Sequence, residues 1–282
     1  MTTLDQFASV FRSAVKPVYT HVSKPTDRVV LITDLSREES EEYLVRVQSF
    51  LVSPVLSWEM ITGDEYETTI ELLELVEARQ ADLICCYRNL HSQAWQHPHS
   101  LGAHLDVLIQ KTASVVLVLP HPEARYARKH AFEKPANVLA MTDHMTDDNE
   151  LVNYAAGLAD DNGSLYLAHF EDDIVFDRYM DAIGKISTID TDTAVTAIRD
   201  QLIKAPKDYI DSCRTVLAEH CPTLNVVDIV TFGHRLQDCL SAVNDHHINL
   251  LVIHGRDEDQ HAMHGLSYPL AIQLRQIPIL FI

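Results

Sequence analysis

The sequence predicts an α/β fold of two tandem units, each an open parallel sheet with helices on both faces, the first unit shortened. Three observations predict it. The stretch from Ile248 to Ile282 holds, in order, the apolar run Leu250-Leu251-Val252-Ile253, a polar loop, a helical pattern and the run Ile277-Pro278-Ile279-Leu280-Phe281-Ile282. Short apolar runs split by one helix read as buried parallel strands. An earlier stretch repeats the layout, with Leu83-Ile84-Cys85-Cys86, a loop carrying Gly102, and Val115-Val116-Leu117-Val118-Leu119. Gly102 stands 17 residues before Leu119 and Gly265 stands 17 before Ile282, so two copies of one unit share the spacing of their final thirds.

In chain order, Leu4, Phe7, Val10, Phe11 and Val15 predict an N-terminal helix within residues 1–22, ended or bent by Pro17. A first strand at residues 28–33 ends in Asp34. Ser36 and Glu39 then form a capping box for a helix reaching about Leu51. A strand is expected at 55–61 and a helix at 68–79 with Ile70, Leu72, Leu73 and Val76 inward. A strand at 81–86, a His-rich loop from Tyr87 to Ser100, a helix at 101–111 and a strand at 113–119 complete the first half. Residues 120–135 are basic and carry three prolines, which marks a linker.

The second half reads as strands at 138–141, 165–170, 224–230, 250–253 and 277–282. The helices between them fall at 151–158, about 193–220 with an interruption at Pro206, 236–244, and after Gly265. The first half has room for one strand and one helix fewer, and the N-terminal helix is expected to fill part of that gap. The division is therefore residues 1–22, a first unit at 23–120, a linker at 121–136 and a second unit at 137–282.

Composition bounds the function. The chain has 282 residues and 46% hydrophobic content, enough for two packed cores. A net charge of −19 argues against broad binding to nucleic acid or to an anionic membrane, which needs Lys and Arg. Five cysteines in no CxxC spacing predict buried reduced thiols, with Cys85 and Cys86 on opposite faces of a strand. No signal peptide and no membrane span are expected, which predicts a cytoplasmic protein.

The pattern resembles the universal stress protein family in its tandem form, over roughly residues 28–119 and 137–282. Leu31-Ile32-Thr33-Asp34 and Leu139-Ala140-Met141-Thr142-Asp143 match the family's first strand. Leu167-Ala168-His169-Phe170 matches its second, and Ala81-Asp82-Leu83-Ile84 and Ile248-Asn249-Leu250-Leu251 its fourth. Leu101-Gly102 and His264-Gly265 stand where its last helix begins. The resemblance implies an adenine nucleotide alpha hydrolase-like, Rossmann-like fold, with the two last strands pairing in an internal pseudo-dimer.

It also implies nucleotide-position equivalents at Asp34, Gly102, Asp143, Gly255 and Gly265. Nucleotide-binding members carry Gly-x-x-Gly, nine residues, then Gly and Ser or Thr, so that backbone N–H groups approach phosphate. Here Tyr87 and Leu90, and His254 and Asp257, stand at the first two glycine positions. Ala103 or Leu266 follows the last glycine. Asp257, Glu258 and Asp259 would repel phosphate at close range. No cofactor is therefore expected.

Histidine crowds both loops, with His91, His97, His99 and His104 in the first and His254, His261 and His264 in the second. The last three are candidate metal ligands, weighed against solvated imidazoles and a pH-responsive surface. No Gly-x-Ser-x-Gly elbow, HExxH or CxxC appears. Asp147-Asp148 and Asp172-Asp173 read as solvated charge. The expectation is a non-catalytic stress-response or signalling protein acting through a small ligand or an unknown protein partner, with further homodimerisation left open. Two alternatives stand beside it: AMP or ATP held by the second unit, and a His-lined metal-binding protein.

Overall fold

The computed structural model describes residues 17–24, 26–51, 55–97, 99–142, 144–188, 190–256 and 265–282. The first half runs β1 (Arg28–Ile32), α1 (Arg37–Phe50), β2 (Ser57–Ile61), α2 (Thr69–Arg79), β3 (Leu83–Tyr87), α3 (Ala103–Lys111) and β4 (Val115–Leu119). The second runs β5 (Asn137–Met141), α4 (Asn149–Leu158), β6 (Ser164–Asp172), α5 (Asp173–Ile183), α6 (Thr191–His220), β7 (Asn225–Gly233), α7 (Arg235–Asp245), β8 (Leu250–Ile253), α8 (Ser267–Gln273) and β9 (Ile279–Phe281).

The helix starts follow from local chemistry. Ser36 with Glu39 caps α1 and Thr68 with Glu71 caps α2, each as a two-way capping box. Asp148, Asp172 and Asp190 accept backbone N–H bonds at the starts of α4, α5 and α6. Helix α5 falls where the sequence reading places no element; Asp172, read there as solvated charge, is its cap, and Phe176 its one buried side chain. Helix α6 runs unbroken through Pro206, which is buried with Tyr209, Ile210, Cys213 and Leu217. Packing of that face onto β6 and β7 outweighs the proline's lost hydrogen bond. In α2, Leu72 and Val76 are buried as expected, but Ile70 is 68% exposed and Leu75 packs in its place.

The nine strands form one sheet in the order β2-β1-β3-β4-β9-β8-β5-β6-β7. All pairs are parallel except β4 with β9, where Val116, Leu117 and Val118 oppose Phe281, Leu280 and Ile279. The two predicted sheets are thus joined edge to edge, because the apolar last strand of each half leaves an edge that the other covers. Outward from this junction the halves repeat one order, β4-β3-β1-β2 and β9-β8-β5-β6, and the second adds β7. What the first half lacks is the outermost strand and the long helix before it.

The N-terminal helix expected to fill part of that gap falls mostly on residues outside the described ones. Residues 1–16 lie outside the described residues, and residues 17–24 are not helical but cross the second half. Tyr19 donates its hydroxyl to Asn153 Oδ1 at 2.7 Å, and Val22 N–H reaches the same oxygen at 2.9 Å. Asn153 Nδ2 donates back to Thr20 O at 3.3 Å, and Tyr19 N–H donates to Ser212 Oγ at 2.9 Å. The linker is also packed rather than free. Arg128 donates to Ile248 O at 3.1 Å and to Asn244 Oδ1 at 2.9 Å, and its N–H to Gln276 O at 3.0 Å.

Cys85 and Cys86 are fully buried in β3. Burial raises both thiols, Cys86 to about 12, so neither is a ready thiolate. No helix among the described residues is long and apolar enough to cross a membrane.

Candidate functional site

In an open α/β sheet, ligands settle beyond the C-terminal strand ends where the strand order reverses. The chain has two such crevices, between β1 and β3 and between β5 and β8.

In the first, Asp34 leaves β1 and Tyr87 closes β3. Sequence reading placed Tyr87 in the loop; the structure makes it the last residue of the strand, fully buried. Its hydroxyl donates a short bond to Asp34 Oδ1 and accepts the Asp34 N–H at 3.1 Å. The other carboxylate oxygen accepts the His91 N–H at 2.8 Å. Burial, then the bond to Asp34, raises the Tyr87 phenol well above its ordinary range, so it stays a donor. Tyr66 donates to Thr33 O at 3.1 Å and meets the rings of His91 and His104 edge-on at 4.7 and 5.4 Å. Each oxygen of Asp34, one of the nucleotide-position equivalents that the resemblance implies, therefore accepts a bond from the chain itself.

The loop between β3 and α3 closes in the same way. Gly102 has φ +89°, and a Cβ there would lie 2.7 Å from Asn89 Cα. Asn89, itself at φ 59°, donates its N–H to Leu101 O at 2.7 Å and its side-chain amide to Ser100 O at 3.2 Å. Gly102 thus admits the chain's own backbone, in the space a phosphate cradle needs. Asp106 adds an acid to the first turn of α3, and burial raises its carboxyl. In this crevice the nucleotide-position equivalents Asp34 and Gly102 are bonded to or packed against the chain itself.

Behind Tyr87, His121 stacks on Trp95 at 4.1 Å and meets Tyr87 at 4.8 Å. Burial lowers His121 to about 4, and its Nδ1 accepts the Glu123 N–H at 3.2 Å, so it is a neutral ring carrying its proton on Nε2. Arg88, 2% exposed, crosses the junction between the halves and donates to Ala271 O at 2.8 Å. Its Nε has no partner among the described residues.

The second crevice is tied differently. His254, at the end of β8, meets Asp148 Oδ2 through Nε2 at 2.6 Å, while Asp148 Oδ1 caps α4 through Leu151 N–H at 3.1 Å. The pair joins β8 to α4 across the crevice mouth; Asp148 is not the solvated charge read from sequence. Ser267 Oγ donates to His254 O at 2.6 Å. Gly255 is a packing glycine: a Cβ would lie 2.9 Å from Ile109 Cγ2 and 3.1 Å from Phe281 Cβ, where α3 and β9 converge. No atom of the described residues lies within 4 Å of a Cβ at Gly265. Asp143, Asp257, Glu258, Asp259, His261 and His264 lie outside the described residues.

On β6, His169 Nε2 pairs with Glu171 Oε1 at 2.9 Å. That bond lowers the Glu171 carboxyl. His169 is buried and Glu171 half-buried at the strand end, and His169 Nδ1 has no partner among the described residues. Sequence reading saw His169 only as part of a strand motif. Among the described residues, no group of three His, Cys, Asp or Glu is arranged to hold a metal. His91, His97 and His99 are exposed.

No protein-family model matches the chain, and no curated protein matches it. Among solved structures it is similar to a universal stress protein from Archaeoglobus fulgidus DSM 4304, at 13% identity and TM-score 0.51, over 91% of this chain and 98% of that one. It also aligns with a functionally unknown protein from Pseudomonas aeruginosa PAO1, at 12% identity and TM-score 0.47, over 100% of this chain and 88% of that one. The first likeness carries the conclusion: this chain has the α/β fold of the universal stress proteins, with helices interleaved along a mostly parallel sheet.

Proposed function

We propose that this chain works without catalysis, as a universal-stress-type binding protein in stress response or signalling, and that the first half has given up nucleotide. The observation that supports the reading is the closure of Asp34 by Tyr87 and His91. A ligand reaching that carboxylate would first have to break two internal hydrogen bonds, one of them to a buried phenol. The Asn89 backbone against Gly102 closes the phosphate end of the same crevice.

The test is direct titration of the full chain with ATP and AMP by calorimetry, with absorbance at 260 nm of the purified protein. No saturation below about 1 mM, a threshold that corresponds to roughly 4 kcal/mol of binding, is the expected result. Micromolar binding would overturn the reading.

One observation favours a second reading, in which AMP or ATP sits in the second half: among the described residues, no atom lies within 4 Å of a Cβ at Gly265, on the approach to α8. Retained nucleotide that disappears in Gly265→Val but persists in Asp34→Asn would establish that reading instead.

A further inference from the structure

The two halves share a strand order but not an outer edge. The register pairs Arg28 with Ser57 and Asn137 with Ser164, and each first strand ends in Thr-Asp. Trp58 therefore corresponds to Leu165 and Met60 to Leu167. Both leucines are 0% exposed, and the outer edge of β6 is paired with β7 over nine residues. Trp58 and Met60 are only half-buried, and among the described residues β2 pairs with β1 alone.

The backbone of β2 shows which groups are left over. Ser57 N–H donates to Asp27 O at 2.9 Å, and Ile61 O accepts from Thr33 N–H at 3.0 Å. Residues 57, 59 and 61 thus turn their peptide groups toward β1, and Trp58 and Met60 turn theirs outward. Glu59 meets Arg79 of α2 at 3.3 Å, so Trp58 and Met60 present their side chains on the α1 face. On α1, Arg46 lies over Phe132 on the linker side, which leaves Arg37, Glu41, Leu44 and Gln48 on the flank toward the free edge. Leu56, at the start of the strand, is 79% exposed.

The surroundings are strongly acidic. Residues 37–79 contain eleven Asp or Glu and three Lys or Arg. One of those three, Arg79, is tied to Glu59 and Glu65. An unpaired edge with apolar side chains beside it is a template for strand addition. The charge around it selects a basic strand and disfavours a second copy of this acidic edge.

We propose that the outer edge of β2 docks an extended segment of another protein, with Lys or Arg alternating with apolar residues, which completes the sheet where the second half has β7. The inference rests on the protein-binding side of the function proposed above. Its test is read separately from the nucleotide titration, so either can fail alone.

The experiment uses the full chain and a synthetic peptide of about ten residues alternating Lys and Val, against a Glu–Val control of equal length. The expected result is binding of the Lys–Val peptide alone, weakened by salt, with amide exchange at Trp58 and Met60 slowed about tenfold or more. Met60→Pro removes an N–H that the ladder turns away from β1, and about a tenfold loss of affinity is expected. If Met60→Pro fails to fold, Glu41→Lys decides, with a loss of severalfold expected from the exposed charge. No binding, equal binding of the Glu–Val peptide, or affinity unchanged in the variant that folds would overturn the proposal. So would protection of the Trp58 and Met60 amides by concentration-dependent dimerisation without peptide.

Discussion

The Tyr87 hydroxyl is bonded twice to one residue, accepting the Asp34 N–H and donating to the Asp34 carboxylate. A strand-end acid and a strand-end phenol, 53 residues apart in sequence, thereby fix the mouth of the first crevice. Tyr87→Phe removes both bonds and leaves a half-buried carboxylate with one partner fewer. A loss of about 1–3 kcal/mol is expected, measured by urea unfolding with an unchanged m-value.

Gly102 is held at φ +89° against the Asn89 backbone, which cannot yield as a flexible side chain can. Gly102→Ala should cost about 2–4 kcal/mol from backbone strain and overpacking together. Gly157, exposed in α4 with no atom within 4 Å of a Cβ, is the control. Gly157→Ala should stabilise by about 0.5–1 kcal/mol. Thermal unfolding of the two variants should shift in opposite directions.

His121 sets an acid limb. Its folded pKa, about 4, lies below the ordinary histidine value, so the unfolded chain takes up its proton first as pH falls. The neutral ring's contribution is fully present above about pH 6.5 and is lost as pH falls toward 4, roughly 3 kcal/mol in all. His121→Gln should flatten the stability profile across that window. An NMR titration placing the His121 ring protons near pH 6.5 would contradict the assignment.

Asn153 ties residues 17–24 to the second half through Tyr19, Thr20 and Val22. Asn153→Ala leaves the Val22 N–H without its acceptor and the buried Tyr19 hydroxyl with only His21 Nδ1 at 3.2 Å, at a cost of about 1–3 kcal/mol. Limited proteolysis should then cut within residues 17–24 before the rest of the chain opens.

Much of the fold was legible because its strands are buried on both faces. The runs 29–32, 83–86, 115–119 and 250–253 carry too little polarity to be anything but interior strands. Ser36 with Glu39 announced α1 from four residues. Helix α5 was illegible because Ile174, Val175 and Tyr179 are exposed and only Phe176 turns inward, so no stripe marks its period. Ile70 and Leu75 exchanged roles because both sit at the margin of the apolar face of α2. The site was harder still. Asp34 stood out as a strand-end acid, but its lock by Tyr87, the His254–Asp148 tie across 106 residues and the closeness of Gly255 to Ile109 depend on strand order, which no local pattern encodes.

The antiparallel seam between β4 and β9 has a consequence for synthesis. Val118 opposes Ile279, and 161 residues separate them. As the chain leaves the ribosome, β4 must wait with a bare apolar margin until those residues have been translated, at about 5–20 residues per second. For roughly ten seconds or more the nascent first half offers a sticky border to anything nearby, so its survival depends on chaperone shielding or on a delay in its own collapse.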